Sequence, residues 1–291
     1  MSRPIADVVS YYTHAGPDYQ FWSPQFNMHF GYYRRGMSPF DLERMLVQMN
    51  CEVIERLGLD PRQPQRILDM GCGLGTTARW AASTFDNLNV AGLTIVPWQV
   101  RQAVALTMAD ASRPRVTFVQ GDFAAAPFPD ECFDGIYALE SSCYAAGYTK
   151  EGLLKEFHRL LKPGRRFVIA DAFLKTRRRM SAPVRRCYEA LCRCWSLETL
   201  GDLHQFTAYL SALGFGDITI ENISRNVTPS VLHIPVTTVR FAARELLRRR
   251  APVQLERWRH FMAGLLLIAF TIDRTRSGYF IISGSKPPRK A

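Results

Sequence analysis

Paired cysteine spacing is missing from this chain. Its seven cysteines are odd in number and scattered, which argues against a disulfide framework and points to a reducing compartment, with the cytoplasm as the expected location. Cys187, Cys192 and Cys194 lie close together. No second group of Cys or His at finger-like spacing accompanies them, so no metal site is expected. Long apolar runs are missing too. The opening MSRPIADVVSYYTHAG has no apolar stretch of the leader type, and the longest run, Leu265–Phe270 with its flanks, is too short to span a bilayer. The expectation is a soluble chain, at most peripheral to a membrane. There is no internal repeat and no low-complexity tract beyond a short basic tail, Lys286–Lys290, expected to fray. Acidic residues are in deficit, 26 against 37 Lys and Arg, leaving a formal charge of +11. That surplus would suit an anionic partner without choosing among nucleic acid, membrane and phosphorylated substrate. Much of it sits at Arg177–Arg179, at Arg185 and Arg186, and at Arg248–Arg250, which read first as solvated helix faces.

What is present is a core. Hydrophobic residues make up 47% of 291, enough for one large α/β domain and against disorder as the main state. From Arg66 onward, short runs rich in Val, Ile and Phe alternate with helical stretches, the pattern of a mostly parallel sheet with helices on both faces. Seven strands are predicted: Arg66–Met70, Asn89–Leu93, Val116–Gln120, Phe133–Ala138, Arg166–Ala170, Asp217–Ile223 and Tyr279–Ser283. Helices are predicted at Pro39–Leu57, Thr76–Ser83, Pro97–Asp110, Thr149–Leu161 and Leu203–Leu213. Two regions fall outside the alternation and read as lids. One is residues 1–64, with Tyr11, Tyr12, Tyr19, Phe21, Trp22, Phe26, Phe30, Tyr32 and Tyr33, rings that must be buried against something. The other is a helical insertion at about 235–274 within the remaining unit, 65–291.

The strand RILDM runs into Gly71, Cys72, Gly73, Leu74 and Gly75, and Thr76 opens a helix. Glycines at a strand-to-helix turn let the backbone pass tightly under a ligand. A dinucleotide turn would want a third glycine at Thr76; here the glycines alternate and Asp69 ends the strand, which suits a ligand without pyrophosphate.

The string LDMGCGLGTTA resembles the first motif of class I S-adenosylmethionine-dependent methyltransferases, which have a Rossmann-like sheet. Later segments follow in order across about Arg66–Phe173. The resemblance implies S-adenosylmethionine as cofactor, with Asp69, Gly71, Gly73 and Gly75 as binders. Most of that family has an acidic residue where this chain has Thr94. The ending GLTIVPWQV is similar to the cyclopropane fatty acid synthase and tocopherol methyltransferase branch, which puts Thr94 and Gln99 on the ribose side. Asp122 and Phe123 fall where the family holds adenine. The segment LLKPGRRFVIADAF, with its Lys162-Pro163-Gly164 turn, is similar to a further family hallmark. FNMHFGYYRRGM resembles the amino-terminal segment of the sterol, tocopherol and fatty-acyl methylating subgroup, which makes Tyr33 a cofactor contact and His29 and Tyr33 site residues.

Glu140 ends the fourth strand, FDGIYALESS, where sterol and prenyl-diphosphate carbon methyltransferases and cyclopropane synthases have a functional acid. Methylation of an alkene leaves a carbocation, which calls for aromatic faces, a carboxylate and a base. Glu140 is therefore assigned to cation stabilisation or proton abstraction, with Tyr12, Trp22, Tyr33 and Tyr144 around it. The leading expectation is carbon methylation of a hydrophobic isoprenoid-type molecule: a sterol, a terpenoid or a prenyl diphosphate. The alternative is O-, N- or ring-C-methylation of a secondary metabolite, with Glu140 or His29 deprotonating a nucleophile. A non-catalytic nucleic-acid-associated protein is the remote alternative; intact glycines, Asp122 and Glu140, and the lack of an Asn-Pro-Pro-Tyr-like string, speak against it and against a nucleic-acid partner. The arginine-rich insertion, with Phe241, Leu246, Leu247, Leu255, Trp258 and Phe261, reads as a substrate lid or a membrane-facing helix. No oligomeric state is implied.

Overall fold

The structure, a computed structural model, describes residues 5–108, 113–175, 180–248, 255–271 and 275–289. Among these, eight strands form one sheet: β1 (Gln65–Met70), β2 (Leu88–Thr94), β3 (Val116–Gln120), β4 (Phe133–Leu139), β5 (Leu161–Leu174), β6 (Gly201–Asp202), β7 (Gly216–Asn222) and β8 (Ser277–Ser285). The order is β3-β2-β1-β4-β5-β8-β7, with β6 paired to β5. Strands β1 to β5 run parallel, and β8 lies antiparallel between β5 and β7. The Rossmann-like, mostly parallel sheet is as expected. The strand order reverses between β1 and β4, and such a reversal opens a crevice at the carboxyl ends of the strands.

Two sequence expectations about strands need correction. The pair Gly201–Asp202 is an eighth strand too short to leave a periodic signal. Strand β5 is 14 residues long rather than the central Arg166–Ala170, because Pro163 and Gly164 do not end it. Leu161 still pairs with Phe133, and the register shifts before Gly135 meets Arg166; Gly164 absorbs the bend at φ +76°.

The helices are α1 (Ile5–Ala15), α2 (Leu42–Glu55), α3 (Thr76–Thr84), α4 (Pro97–Thr107), α5 (Glu151–Leu160), α6 (Ala182–Cys194), α7 (Leu203–Ala212), α8 (Ser224–Val231), α9 (Ile234–Arg248) and α10 (Leu255–Thr271). Helix α2 starts later than Pro39 because the Asp41 side chain caps it, accepting from the Arg44 N–H at 3.1 Å. Helix α5 starts later than Thr149 because Lys150 is left-handed, φ +56°. Its buried amine donates to the carbonyls of Cys143, Ala145 and Thr199 at 3.1, 2.7 and 2.8 Å. Sequence periodicity did not reveal α6, whose Tyr188, Leu191 and Cys192 pack inward, nor α8, which contains Pro229. Arg185 and Arg186 are exposed on α6. Ala109, Asp110, Arg177–Arg179, Arg249, Arg250, Lys290 and parts of the expected insertion (251–254, 272–274) lie outside the described residues.

The sheet is covered on both faces, as a parallel sheet must be. Phe133, Phe157, Phe167, Phe173 and Phe206 fill one side; Met49, Val53, Ile67, Ala78, Val168 and Ile281 fill the other. Of the amino-terminal rings, Tyr11, Tyr19 and Phe21 pack against the insertion. Phe21 meets Phe241 and Phe261 edge-on, at 5.5 and 6.4 Å between centroids, and those two stack on each other at 3.8 Å. Asp18 accepts a bidentate pair of bonds from Arg257, at 2.6 and 2.7 Å. Chain segments more than 200 residues apart thereby form one cap over the carboxyl ends of the strands.

Candidate functional site

The loop after β1 folds back beneath its neighbour. The N–H groups of Gly71 and Cys72 both donate to the Leu93 carbonyl, at 2.8 and 2.9 Å. Gly71 stands at φ +92°, and a Cβ there would lie 2.3 Å from the Ser141 Cβ, so only glycine fits. Gly73, at φ +53°, faces the same crevice. Gly75 does not. It is the left-handed N-cap of α3, and a Cβ there would lie 2.2 Å from the Phe118 ring. The structure does not bring it to the cavity with the other expected binders; it lets the helix start close against the sheet.

Above the loop lies a cavity of about 280 Å³ whose lining includes Asp69, Gly71, Cys72, Gly73, Thr94, Gln99, Asp122, Phe123 and Glu140. Four separate strand ends thus deliver eight of the sequence-named residues to one wall. Thr94 donates to Gln99 Oε1 at 2.6 Å, and both are buried. Asp122 turns its own loop, accepting from the Ala124 N–H at 2.8 Å. Burial pushes the Asp69 carboxyl up to about 7, partly offset by the nearby Tyr137 hydroxyl. Among the described residues, neither Lys nor Arg lines this cavity. It offers acceptors and open backbone, which suits hydroxyl and amino groups or a positive charge rather than a pyrophosphate.

A second cavity, of about 410 Å³, adjoins the first. Tyr12, Met28, His29, Glu140 and Tyr144 line both and form the shared wall. Glu140 follows β4 in a left-handed backbone conformation, φ +51°, a strain that persists only where surrounding structure imposes it. Here its backbone N–H donates to the Ala170 carbonyl at 2.9 Å. Its side-chain Oε1 accepts from the Phe30 N–H at 2.6 Å and the Tyr279 hydroxyl at 2.7 Å. Burial pushes the carboxyl up to about 8; the Phe30 N–H and the Tyr279 hydroxyl pull against that, and Asp171 adds to it. The group is therefore protonated at neutral pH until a cation or a proton acceptor comes near.

His29 is buried, with Nδ1 2.9 Å from the Phe30 carbonyl and, among the described residues, no hydrogen-bond partner for Nε2. Burial lowers it to about 4, against the opposing Phe30 carbonyl and the nearby Asn50, so the ring is neutral. Tyr12 donates to the Tyr144 hydroxyl at 2.9 Å. Trp22 lines the second cavity and donates its indole N–H to the His29 carbonyl at 3.0 Å. Tyr33 lines neither of these cavities, so the structure does not bring it together with the other expected site residues. Its N–H donates to the Asn226 carbonyl at 2.9 Å and its carbonyl accepts from Asn226 Nδ2 at 3.1 Å, so it docks the amino-terminal segment onto α8.

Several residues at the site carry no sequence signal. Tyr279, on β8, reaches Glu140 across 139 positions of chain. Asp171 accepts from Ser142 Oγ and the Cys143 N–H at 2.7 and 2.8 Å, shaping the turn that holds Tyr144. The Tyr19 and His260 rings lie 4.6 Å apart, tilted by 46°, and Tyr11 bonds His260 Nδ1 at 2.6 Å. A tyrosine two residues into the last strand and an aspartate after VIA were visible in the sequence, but pairing them with Glu140 needs the tertiary arrangement.

Residues 67–164 match the family described as "Methyltransferase domain". The chain is 34% identical over 163 residues to "Methyltransferase phqN" of Penicillium fellutanum, covering 56% of this chain and 49% of that one. It is 35% identical over 155 residues to "Sterol 24-C-methyltransferase ERG6B" of Gibberella zeae, covering 53% and 38%. The chain thus spans half or less of the length of these curated relatives. Among solved structures, the cyclopropane synthase MmaA2 from Mycobacterium tuberculosis superposes with a TM-score of 0.78 at 15% identity, covering 98% and 99% of the two chains. Residues 67–164, which match that domain, carry the glycine loop and border the crevice at the switch point of a Rossmann-like sheet.

Proposed function

We propose that this chain is an S-adenosylmethionine-dependent methyltransferase that methylates carbon in a hydrophobic, isoprenoid-type small molecule. The observation that carries the reading is the placement of Glu140 on the wall between the glycine-loop cavity and the larger aromatic one. The first cavity suits the cofactor: Gly71 and Gly73 would leave backbone space for its methionine arm, Thr94 and Gln99 would hold the ribose, and Asp122 and Phe123 the adenine. When bound, S-adenosylmethionine supplies a methyl group on positively charged sulfur. The chain's own residues align, exclude water and manage charge. Such alignment can supply roughly 7–11 kcal/mol of a barrier.

In the second cavity, Tyr12, Tyr19, Trp22 and Tyr144 contribute aromatic rings to the lining, side chains of the kind that stabilise a developing cation. Glu140, ionised by a neighbouring positive charge, stabilises it further or removes the proton that ends the reaction. The amino-terminal segment from Ile5 onward, with α9 and α10, acts as the cap that keeps water out. Among the described residues no Lys or Arg lines this cavity, which favours an uncharged sterol or terpenoid over a prenyl diphosphate, since a multiply charged group would be desolvated without partners. A second reading is methylation of an oxygen or nitrogen; the free, neutral Nε2 of His29 on the shared wall favours it, as that atom can take a proton from a nucleophile.

The test is calorimetric titration with S-adenosylhomocysteine, then labelled methyl donor with sterols, terpenes, prenyl diphosphates and phenols. Cofactor binding with label in an extractable hydrocarbon skeleton is the expected result; no cofactor binding would overturn the proposal.

A further inference from the structure

Helices α9 and α10 have two dissimilar faces. Their inner faces roof the larger cavity through Ile234, Thr237, Phe261, Gly264 and Leu267. On the outer faces, every exposed residue among those described is apolar or arginine. On α9 these are Pro235, Val236, Val239, Arg240, Ala243, Arg244 and Leu247; on α10 they are Leu255, Trp258, Arg259, Met262, Leu265 and Ala269. The spacings follow one side of each helix. Val239 is 67% exposed, Leu247 84% and Leu255 58%, a concentration of bare apolar side chains that marks a docking surface. The acidic residues of these helices are turned aside: Glu245 is held by Arg257 at 3.0 Å, and Glu256 is only half-exposed.

From this we infer that the outer face of α9 and α10 docks onto an anionic phospholipid membrane, so that the roof of the apolar cavity rests in the headgroup layer. Three features choose a membrane over a protein partner. Apolar side chains interleaved with arginine and free of carboxylate match an interface that is greasy below and negative above. The chain's net charge of +11 adds long-range attraction to that surface. The same two helices line the cavity, so a hydrophobic substrate could pass from the bilayer to the site without crossing water; this last point rests on the proposed function. No helix among the described residues is long and apolar enough to cross a membrane, so the contact is interfacial.

The experiment is sedimentation of the full chain, without methyl donor, with vesicles of phosphatidylcholine alone or containing a third phosphatidylserine. Partition onto the phosphatidylserine vesicles, weakened by salt, is expected. In Arg240→Glu/Arg259→Glu it falls by roughly tenfold or more, and in Val239→Ser/Leu247→Ser by a comparable factor. All four side chains are exposed, and melting temperatures near wild type will exclude misfolding. Absence of binding to both vesicle types would overturn the inference, as would equal binding by wild type and both variants. So would a concentration-dependent dimer in ultracentrifugation that Val239→Ser/Leu247→Ser abolishes, because the face would then belong to a second copy. Vesicle binding is read without turnover, so its failure leaves the proposed chemistry untouched, and failed chemistry leaves it standing.

Discussion

The two cavities share a wall but are built in opposite ways. The glycine-loop cavity is assembled mainly from short stretches that follow consecutive parallel strands, at 69–77, 94–99 and 122–124. The aromatic cavity draws on residues from Tyr12 to Tyr279, contributed by the amino-terminal segment, the turn after Glu140, α8, α9, α10 and β8. The first recruits backbone and a few polar groups that any member of such a fold needs for one common ligand. The second recruits side chains from elements appended to the sheet, and those elements can change without disturbing it. On the proposed function, the cofactor site belongs to the sheet and the substrate site to what is packed on top of it.

The sharpest way to break that comparison is at the loop. Gly71→Val forces a side chain into Ser141 and into a backbone region closed to valine. Affinity for S-adenosylhomocysteine should fall by roughly a hundredfold or more in calorimetry, with the aromatic cavity unchanged. Retained affinity would detach the loop from cofactor binding.

Next in size is the shared wall. Glu140→Gln should lower kcat by about 10² to 10⁴ with cofactor affinity within a few-fold of wild type. The pH profile carries the same information. With its carboxyl raised to about 8, Glu140 is protonated below that value, so turnover that needs the carboxylate rises with pH toward about 8, and the Gln variant loses that limb. Stability moves the other way. A carboxyl whose pKa is higher folded than unfolded stabilises the fold at low pH, and that contribution is lost as pH rises through about 8. Melting curves should show Glu140→Gln gaining on wild type between pH 5 and pH 9; parallel curves would place Glu140 in a more solvated setting than the structure does.

The smallest effect is expected from Tyr279→Phe. Removing this donor leaves Glu140 Oε1 with the Phe30 N–H alone. The Glu140 limb of the pH profile should shift upward, because the Tyr279 hydroxyl holds the pKa down, while the variant loses about 1 kcal/mol of stability in denaturant titration. An unshifted limb would make Tyr279 a packing residue only.

Read alone, the chain determined the sheet and most of the glycine-loop cavity. Strands β1 to β4 fall where expected, and Asp69, Gly71, Gly73, Thr94, Gln99, Asp122 and Phe123 meet at one cavity, because a parallel sheet buried on both faces writes itself as continuous apolar runs, and a tight turn writes itself as glycine. Glu140, His29 and Tyr144 were visible for a similar reason, lying at or near strand and motif ends. What only the tertiary structure decided is which distant side chains meet. Tyr33 faces α8 instead of the site, Gly75 serves helix packing, and Tyr279 and Asp171 set the environment of Glu140. Local periodicity encodes which face of an element is buried; it does not encode which other element, hundreds of residues away, does the burying.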